Sequence, residues 1–193
     1  MNFFKTIFNP FPEAEQVNGL TYEMKAIYLY HLLEEKKSSI LVVTNSLFEA
    51  NTLYQSLLHY TPQVLLFPMD DFLTSEALAI SPEFKYNRLD VIHQLMENQK
   101  NIVITNLMGY LRYLPTKEQF QNYTLSIEKS SDYPMESFLH QLYVMGYERE
   151  TIVTKTGEMA VRGFVIDIFP VGEKYPVRLE FWGDTIDSIR TFD

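Results

Sequence analysis

Cysteine is absent from this 193-residue chain, which excludes disulfides, thiolate metal ligands and a cysteine nucleophile. The absence is typical of proteins in a reducing compartment, and we expect a cytoplasmic location. No stretch reaches the roughly 20 consecutive apolar residues that a membrane helix needs. The apolar opening MNFFKTIFNPFP is too short and too interrupted for a signal peptide. We therefore expect a soluble protein without membrane contact.

Clusters of basic residues are also lacking. The 25 acidic residues outnumber the 16 basic ones and give a formal net charge of −9. The longest basic run is Lys36-Lys37, and it directly follows Glu34-Glu35. Proteins that hold nucleic acid on their own neutralise phosphates with clustered lysine and arginine. The composition therefore argues against autonomous DNA binding.

Apolar residues, by contrast, make up 46% of the chain, which is enough to bury a core. In the first half, short apolar runs alternate with segments of helical periodicity. The runs are ILVVT (40–44), QVLLFP (63–68) and NIVIT (101–105), and the helical segments are 21–35, 46–58 and a third that Ser81-Pro82 opens. Such alternation predicts a parallel sheet covered by helices on both faces. We expect this α/β domain over residues 1–118.

The pattern changes near Pro115. A helix is expected after Pro134 with its end at Gly146, and the chain beyond it reads as strands and turns. VRGFVIDIF and PVRLEFW, joined by VGEKY, are expected to form a hairpin. We therefore predict a small α+β domain over residues 119–188. Residues 189–193 are expected to begin a return to the first domain, and the ending SIRTFD suggests a piece of a longer chain.

GLTYEMKA, which begins at Gly19, partly matches the phosphate-binding loop G-x-x-x-x-G-K-[ST]. Gly19 and Lys25 stand at the required spacing. Met24 replaces the second glycine, however, and Ala26 replaces the hydroxyl residue that would hold magnesium. We expect tight binding of nucleotide and magnesium to fail, and we interpret the segment as a plain helix start that is compatible with a degenerate nucleotide loop.

Alternation along VRLEFW separates two sets of side chains. One face receives Val177, Leu179 and Phe181, and the other receives Arg178, Glu180 and Trp182. Tryptophan and arginine are the residue types most enriched in interface hot spots, and Trp182 is the single tryptophan of the chain. The alternative is an amphipathic strand whose tryptophan packs under a loop. Arg162 and Arg149 are either members of the same surface or solvated charges.

Other chemistry has less support from the sequence. The four histidines have no companions at ligand spacing, so no metal site is predicted. Asp167 lies among apolar residues and is either a base or, as is commoner, a carboxylate paired with an arginine or with backbone donors. Asp70-Asp71 is a possible acidic pair, for which an exposed loop is the simpler interpretation.

The last segment, GEMAVRGFVIDIFPVGEKYPVRLEFWGDTIDSIRTFD (157–193), resembles a segment that transcription-repair coupling factors (Mfd) share with the excision-repair protein UvrB. An R-G pair, D-[IL]-F-P, [IV]-R-[LIV]-[ED]-F-F, G-D-x-I and a closing R-x-F-D characterise that segment, and nearly all are present. GLTYEMKA resembles the decayed loop of the coupling factors rather than the working loop of UvrB. The resemblance covers nearly the whole chain, strongly after Gly146 and loosely before Ile40.

The resemblance implies a degenerate RecA-like α/β domain followed by an α+β domain that binds UvrA. It implies a non-catalytic adaptor, without a cofactor of its own, that recruits this nucleotide excision repair protein to RNA polymerase stalled at DNA damage. The ATP- and magnesium-dependent DNA translocase motor, and the regions that contact RNA polymerase and DNA, lie elsewhere in such proteins. The positions that match the family's UvrA contacts are Arg162, Arg178 and Trp182, the last usually phenylalanine, and more weakly Glu180 and Arg149.

Two alternatives remain open. The chain could be an ATP-binding helicase or ATPase fragment that uses Gly19 and Lys25, which predicts nucleotide affinity. It could also be a damaged-DNA-binding module, as UvrB is, although the acidic balance argues against this function.

Overall fold

The computed structural model describes residues 16–71, 82–97 and 99–193. The chain divides into two compact units, the first ending at Tyr113 and the second running from Leu114 to Asp193. Each unit has its own sheet, three-stranded in the first and five-stranded in the second. The two sheets differ in strand direction, and each is built by a different sequence pattern.

The described part of the first unit alternates helices and strands. Its elements are α1 (Tyr22–Glu35), β1 (Ile40–Thr44), α2 (Leu47–Leu58), β2 (Val64–Phe67), α3 (Pro82–Met96), β3 (Ile102–Asn106) and α4 (Leu107–Tyr110). The strands run parallel in the order β1-β3-β2. The side chains of Thr21 and Ser46 cap α1 and α2, because each accepts a hydrogen bond from a backbone N–H of the first turn.

Helices cover both faces of this parallel sheet. On one face, Ile102 and Ile104 of β3 are buried in a core with residues of α1 and α2. On the other face, Val91 of α3 packs with Leu65 and Val103. The expected parallel sheet between helices is therefore confirmed in the described residues of this unit.

The second unit is a mixed sheet with helices. Its elements are α5 (Lys117–Asn122), α6 (Met135–Val144), β4 (Glu148–Arg149), β5 (Glu158–Arg162), β6 (Val165–Ile168), β7 (Val177–Trp182) and β8 (Thr185–Thr191). The strands follow chain order; β4 is parallel to β5 and the other pairs are antiparallel. The boundary expected between residues 118 and 119 falls within α5, and residues 189–191, expected to begin a return to the first domain, end β8.

The run VRGFVIDIF is not the single strand that its apolar character suggests. Gly163 has a φ of +61°, in the left-handed region that glycine tolerates without steric cost. A tight turn at Gly163 and Phe164 joins β5 to β6 and pairs Arg162 with Val165. The turn places Arg162 on a different strand from Asp167. The expected hairpin between the two apolar runs is present as the antiparallel pair β6–β7.

One face of the second sheet packs against α6. Phe138 of this helix is buried together with Ile166, Leu179 and Ile186, which come from three different strands. Because side chains alternate along a strand, the neighbours of these core residues point to the opposite face. That outer face carries the polar residues singled out in the sequence.

Candidate functional site

The outer face of the second sheet carries a row of charged side chains across its strands. Asp167 of β6 is in register with Arg178 of β7, and Arg178 is in register with Arg190 of β8. Glu180, two residues after Arg178 on β7, is in register with Ser188 of β8. All five side chains lie on one face of the sheet, and together they form one polar surface across three neighbouring strands.

Asp167 lies at the centre of this surface, and two arginines hold its carboxylate. Arg178 donates from Nε to Oδ1 at 2.6 Å and from Nη2 to Oδ2 at 2.7 Å, a bidentate pairing. Arg162 donates from Nη2 to Oδ2. The side chain of Asp167 is only 2% exposed. The structure thus gives Asp167 the arginine-paired role rather than that of a free base.

The charges of this cluster stabilise one another. Burial disfavours the ionised form of Asp167 and acts to raise its pKa, but the hydrogen bonds and positive charges of Arg178 and Arg162 outweigh burial. The pKa of the Asp167 carboxyl therefore lies below its usual range. The bond to Asp167 in turn raises the pKa of Arg178. Asp167 and Arg178 therefore both stay charged at neutral pH.

The two arginines differ in how much of each faces solvent. The side chain of Arg178 is 28% exposed, whereas that of Arg162 is 55% exposed. The guanidinium of Arg178 also lies over the ring of Phe192, 4.6 Å from its centroid. Arg178 is therefore held by Asp167 and Phe192, whereas the side chain of Arg162 is the more exposed of the two.

Trp182 extends the surface beyond the charged row. It is 83% exposed, so the alternative in which the tryptophan packs under a loop does not hold. Phe164, which is 65% exposed, lies at the adjacent turn, because the N–H of Phe181 donates to the carbonyl of Phe164 at 2.8 Å. Phe164 is not singled out by the sequence, although a turn at Gly163 would have indicated its exposure.

Glu180 is fully engaged on the outer face. Its carboxylate accepts hydrogen bonds from Ser188 Oγ at 2.8 Å and from Arg190 Nη2. Arg190 is an exposed member of the face that the sequence interpretation does not include. Alternation along TIDSIRT would not have identified it, because a register shift opposite Glu180 and Phe181 separates Ser188 and Arg190 from the buried Ile186.

Arg149 lies apart from the charged row. Arg149 is in register with Met159, whose side chain is buried in the core. Arg149 therefore lies on the core-facing side of the sheet and not on the outer face. Arg149 instead lines an open groove of about 600 Å³ at the edge of the sheet, together with Val161 and Arg162. Of the five residues proposed from the sequence, Arg162 alone lies both in the charged cluster and beside this groove.

The loop before α1 has the features of a helix start. Gly19 has a φ of +78°, and the Lys25 ammonium lies 5.1 Å from the centroid of the Tyr22 ring. Ala26, a residue of α1, is fully buried in the core to which α1 and α2 contribute. The position that holds a hydroxyl residue in the phosphate-binding loop pattern is therefore occupied here by an apolar side chain among apolar neighbours.

Asp71 is not part of an exposed acidic pair. Its carboxylate accepts hydrogen bonds from the N–H of Leu47 at 2.8 and 3.0 Å and from Nδ2 of Asn106 at 2.6 Å. Asn106 is fully buried and also donates to the carbonyl of Met69 at 2.7 Å. Asp71 therefore serves the start of α2 and the end of β3, which is a structural role.

In residues 16–71, 82–97 and 99–193, no three histidine, aspartate or glutamate side chains lie close enough together to hold a metal ion. No helix within the described ranges is long and apolar enough to cross a membrane.

Most of the second unit matches a known domain family. Residues 125–193, which include the whole charged row, Trp182 and Phe164, match the family described as the UvrB interaction domain. The matched residues include all five residues proposed as partner contacts.

The whole chain is similar to transcription-repair-coupling factors, in agreement with the resemblance seen in the sequence. It is 32% identical over 196 residues to the factor of Staphylococcus aureus strain USA300, with all of this chain covered. It is 31% identical over 195 residues to the factor of Bacillus subtilis strain 168, with 98% of this chain covered. The chain matches the N-terminal region of these relatives and spans 17% of their length.

Proposed function

We propose that this chain is a non-catalytic adaptor of transcription-repair coupling and that its UvrB interaction domain binds UvrA. In this proposal it recruits UvrA, in the cytoplasm, to RNA polymerase stalled at DNA damage. The observation that carries the proposal is an exposed tryptophan, Trp182, on the same face as an arginine pair that a buried carboxylate holds in place.

The arrangement suits protein recognition for two physical reasons. Trp182 and Phe164 offer large apolar area without neighbours that cover them, and burial of such side chains dominates interface energies. Asp167 fixes the guanidinium of Arg162 before any partner arrives, so binding has less side-chain entropy to remove. The outer face also has three arginines (162, 178 and 190) against two carboxylates (167 and 180), which favours an acidic partner surface.

Calorimetric titration of the 193-residue chain with purified UvrA tests this proposal. Trp182→Ala and Arg162→Ala are expected each to weaken binding by about 30-fold, which corresponds to the roughly 2 kcal/mol of a hot-spot residue. Tyr143→Ala is a matched control, because Tyr143 is also an exposed aromatic side chain but lies on α6. Unchanged affinity of both variants would contradict the assignment of the surface.

Arg178→Ala is a less direct test of binding. It removes two of the hydrogen bonds to a buried carboxylate, so reduced affinity could reflect a change of the fold. Arg178→Lys keeps the charge but not the bidentate geometry. Binding measurements on either variant therefore need unfolding curves of the same preparation beside them.

The first unit is proposed to be a RecA-like domain that has lost nucleotide binding. Support comes from the parallel sheet, from the buried Ala26 and from Glu23, an acidic side chain in the first turn of α1 where a phosphate would lie. The translocase motor with its ATP and magnesium, and the regions that contact DNA and RNA polymerase, are proposed to lie in the part of the longer relatives that this chain does not span.

A further inference from the structure

The strand β5 has one edge that is only partly occupied. Its neighbour β4 has two residues and pairs Glu148 with Glu158 and Arg149 with Met159. The last bond along this edge runs from the N–H of Glu150 to the carbonyl of Met159 at 2.8 Å. Beyond this bond, the rest of β5 has no strand beside it on this side within the described residues.

The backbone groups of Val161 point to this open edge. Two residues of β5 direct their backbone groups towards β6. Glu158 does so because its carbonyl accepts from the N–H of Phe169 at 3.0 Å, and Arg162 does so because it pairs with Val165 across the tight turn. Backbone groups alternate between the two sides of a strand, so those of Val161 face away from β6. No hydrogen bond from another described residue meets them there.

A groove runs beside these free backbone groups. It has a volume of about 600 Å³ and is lined by Arg149, Glu150, Thr151, Ile152, Val161 and Arg162. Ile152 is 65% exposed and supplies apolar surface. Arg149 and Arg162 supply positive charge, of which Arg162 also belongs to the proposed UvrA surface.

The outer wall of the groove is held in place by a buried carboxylate. Oε2 of Glu158, a residue that is 5% exposed, accepts hydrogen bonds from the N–H groups of Thr154 and Lys155 at 2.7 and 3.0 Å. It also accepts one from the hydroxyl of Thr154 at 3.0 Å. The loop that carries Thr151 and Ile152 is therefore anchored just after these residues, and the groove is formed before any partner binds.

We propose that an extended segment of UvrA adds to the open edge of β5 and occupies this groove. Its backbone bonds to the N–H and carbonyl of Val161, as in other cases of strand addition. An aliphatic side chain of the segment packs on Ile152, and an acidic side chain pairs with Arg149 or Arg162. The inference rests on the proposed function, because it names a second contact made by the same partner.

Charge and continuity select this occupant. The groove borders Arg162, so one partner can reach both the groove and the outer face without a gap. The groove is lined by two arginines and one acidic residue, Glu150. This excess of positive charge favours an acidic segment over a basic one. The free edge is short, and a segment of about four residues covers it at about 3.3 Å per residue.

Amide hydrogen exchange is the first test, with the isotope-labelled chain alone and in complex with UvrA. Strand addition is expected to slow exchange of the Val161 amide by about tenfold or more, because the amide becomes hydrogen-bonded. An unchanged exchange rate at Val161 in the saturated complex overturns the proposal.

Val161→Pro is the second test, because it removes the outward N–H but no bond to β6. Proline is tolerated at edge positions whose N–H faces solvent. UvrA binding is expected to weaken about fivefold, the equivalent of one hydrogen bond. Val161→Ala, which keeps the N–H, is the matched control and is expected to bind more tightly than the proline variant. Equal affinity of the two variants counts against strand addition.

Ile152→Asp gives an independent test if the proline variant is unstable. It places a negative charge where an acidic segment is expected, and binding should fall by about tenfold. Val144→Asp on α6 is the control, since Val144 is also an exposed aliphatic residue of this unit. Parent-like binding of Ile152→Asp overturns the proposal.

The outcomes separate the groove from the proposed function. If Trp182→Ala weakens UvrA binding while the groove variants bind like the parent, the groove proposal fails and the proposed function stands. If the parent chain does not bind UvrA at all, both fail. Sedimentation that shows a dimer of the parent but not of Val161→Pro would assign the edge to a second copy of this chain and overturn the proposal.

Discussion

Asp167 and Arg178 face each other across β6 and β7, joined by hydrogen bonds of 2.6 and 2.7 Å that engage both carboxylate oxygens. Arg162 of β5 completes the cluster, so that charges tie three neighbouring strands together on the face opposite the apolar core. The same contact orients the guanidinium groups that we propose as partner contacts. Stability of the sheet and shape of the surface therefore depend on one carboxylate.

Asp167 makes the stability of the protein depend on pH in the acid range. In the unfolded chain its pKa is about 3.9, the ordinary value for aspartate, whereas in the folded protein the pKa is lowered. A lowered pKa means that the folded state takes up the proton less readily. The stabilisation is therefore complete above about pH 4 and is lost as the pH falls further, towards the folded-state pKa.

Urea unfolding between about pH 6 and pH 2 measures this dependence. Asp167→Asn cannot titrate, so its free energy of unfolding is expected to fall less steeply below about pH 4 than that of the parent. Glu158, whose pKa is also lowered because bonds from Thr154 and Lys155 and the Lys155 charge outweigh burial, contributes to the slope that remains. Identical slopes for Asp167→Asn and the parent would show that the arginine pairing does not bear on acid stability.

Arg178→Ala is expected to destabilise the second unit by about 1–3 kcal/mol, because it leaves a buried carboxylate with one arginine instead of two. Arg190→Ala is the control, since Arg190 is 57% exposed and its partner Glu180 is 34% exposed. Such exposed pairs contribute less than about 1 kcal/mol. Urea unfolding of both variants provides the comparison, and equal losses would argue against the structural role of Arg178.

The face of β7 was predictable from the sequence because the strand has a period of two and one side is apolar. Leu179 and Phe181 are buried and Trp182 is exposed, as alternation requires. The partners of Arg178 were not predictable in the same way. Its pairing with Asp167 depends on the register between β6 and β7, and a tight turn at Gly163 is needed to bring Arg162 to the same carboxylate.

In the first unit, the alternation of strands and helices predicted the sheet, but the role of Asp71 depends on tertiary structure. Asp71 serves the N–H of Leu47, 24 residues earlier in the chain, and the amide of Asn106, 35 residues later. Neither distance produces a local sequence pattern. An acidic pair after a strand therefore looks like an exposed loop until the ends of the strands are placed side by side.

Gly109→Ala is expected to destabilise the first unit by about 1–3 kcal/mol. A Cβ added at Gly109 would lie 2.2 Å from Oγ1 of Thr105, which is buried and donates to the carbonyl of Phe67 at 2.9 Å. The hydroxyl would have to move and leave that carbonyl without its donor. Leu107→Ala is the control in the same short helix, because Leu107 is 47% exposed. Thermal unfolding at one pH compares them, and similar midpoints would contradict the predicted clash.

The first unit is expected not to bind ATP with magnesium. Ala26 is buried where a working loop has the hydroxyl that holds the metal, and Met24 stands where the second glycine would let backbone N–H groups approach the phosphates. The lysine alone provides a single exposed charge, which does not give tight binding in water. Calorimetric titration with ATP and magnesium is expected to show no binding tighter than about 1 mM.

Micromolar affinity would instead favour the ATPase-fragment interpretation. In that case Lys25→Ala should abolish binding, because Lys25 occupies the position of the phosphate-binding lysine. Lys37→Ala, which removes a lysine charge beyond the end of α1, is the control and should leave binding unchanged. If the Lys25→Ala variant binds ATP as tightly as the parent, the nucleotide binds elsewhere and the segment from Gly19 to Ala26 has no role in its binding.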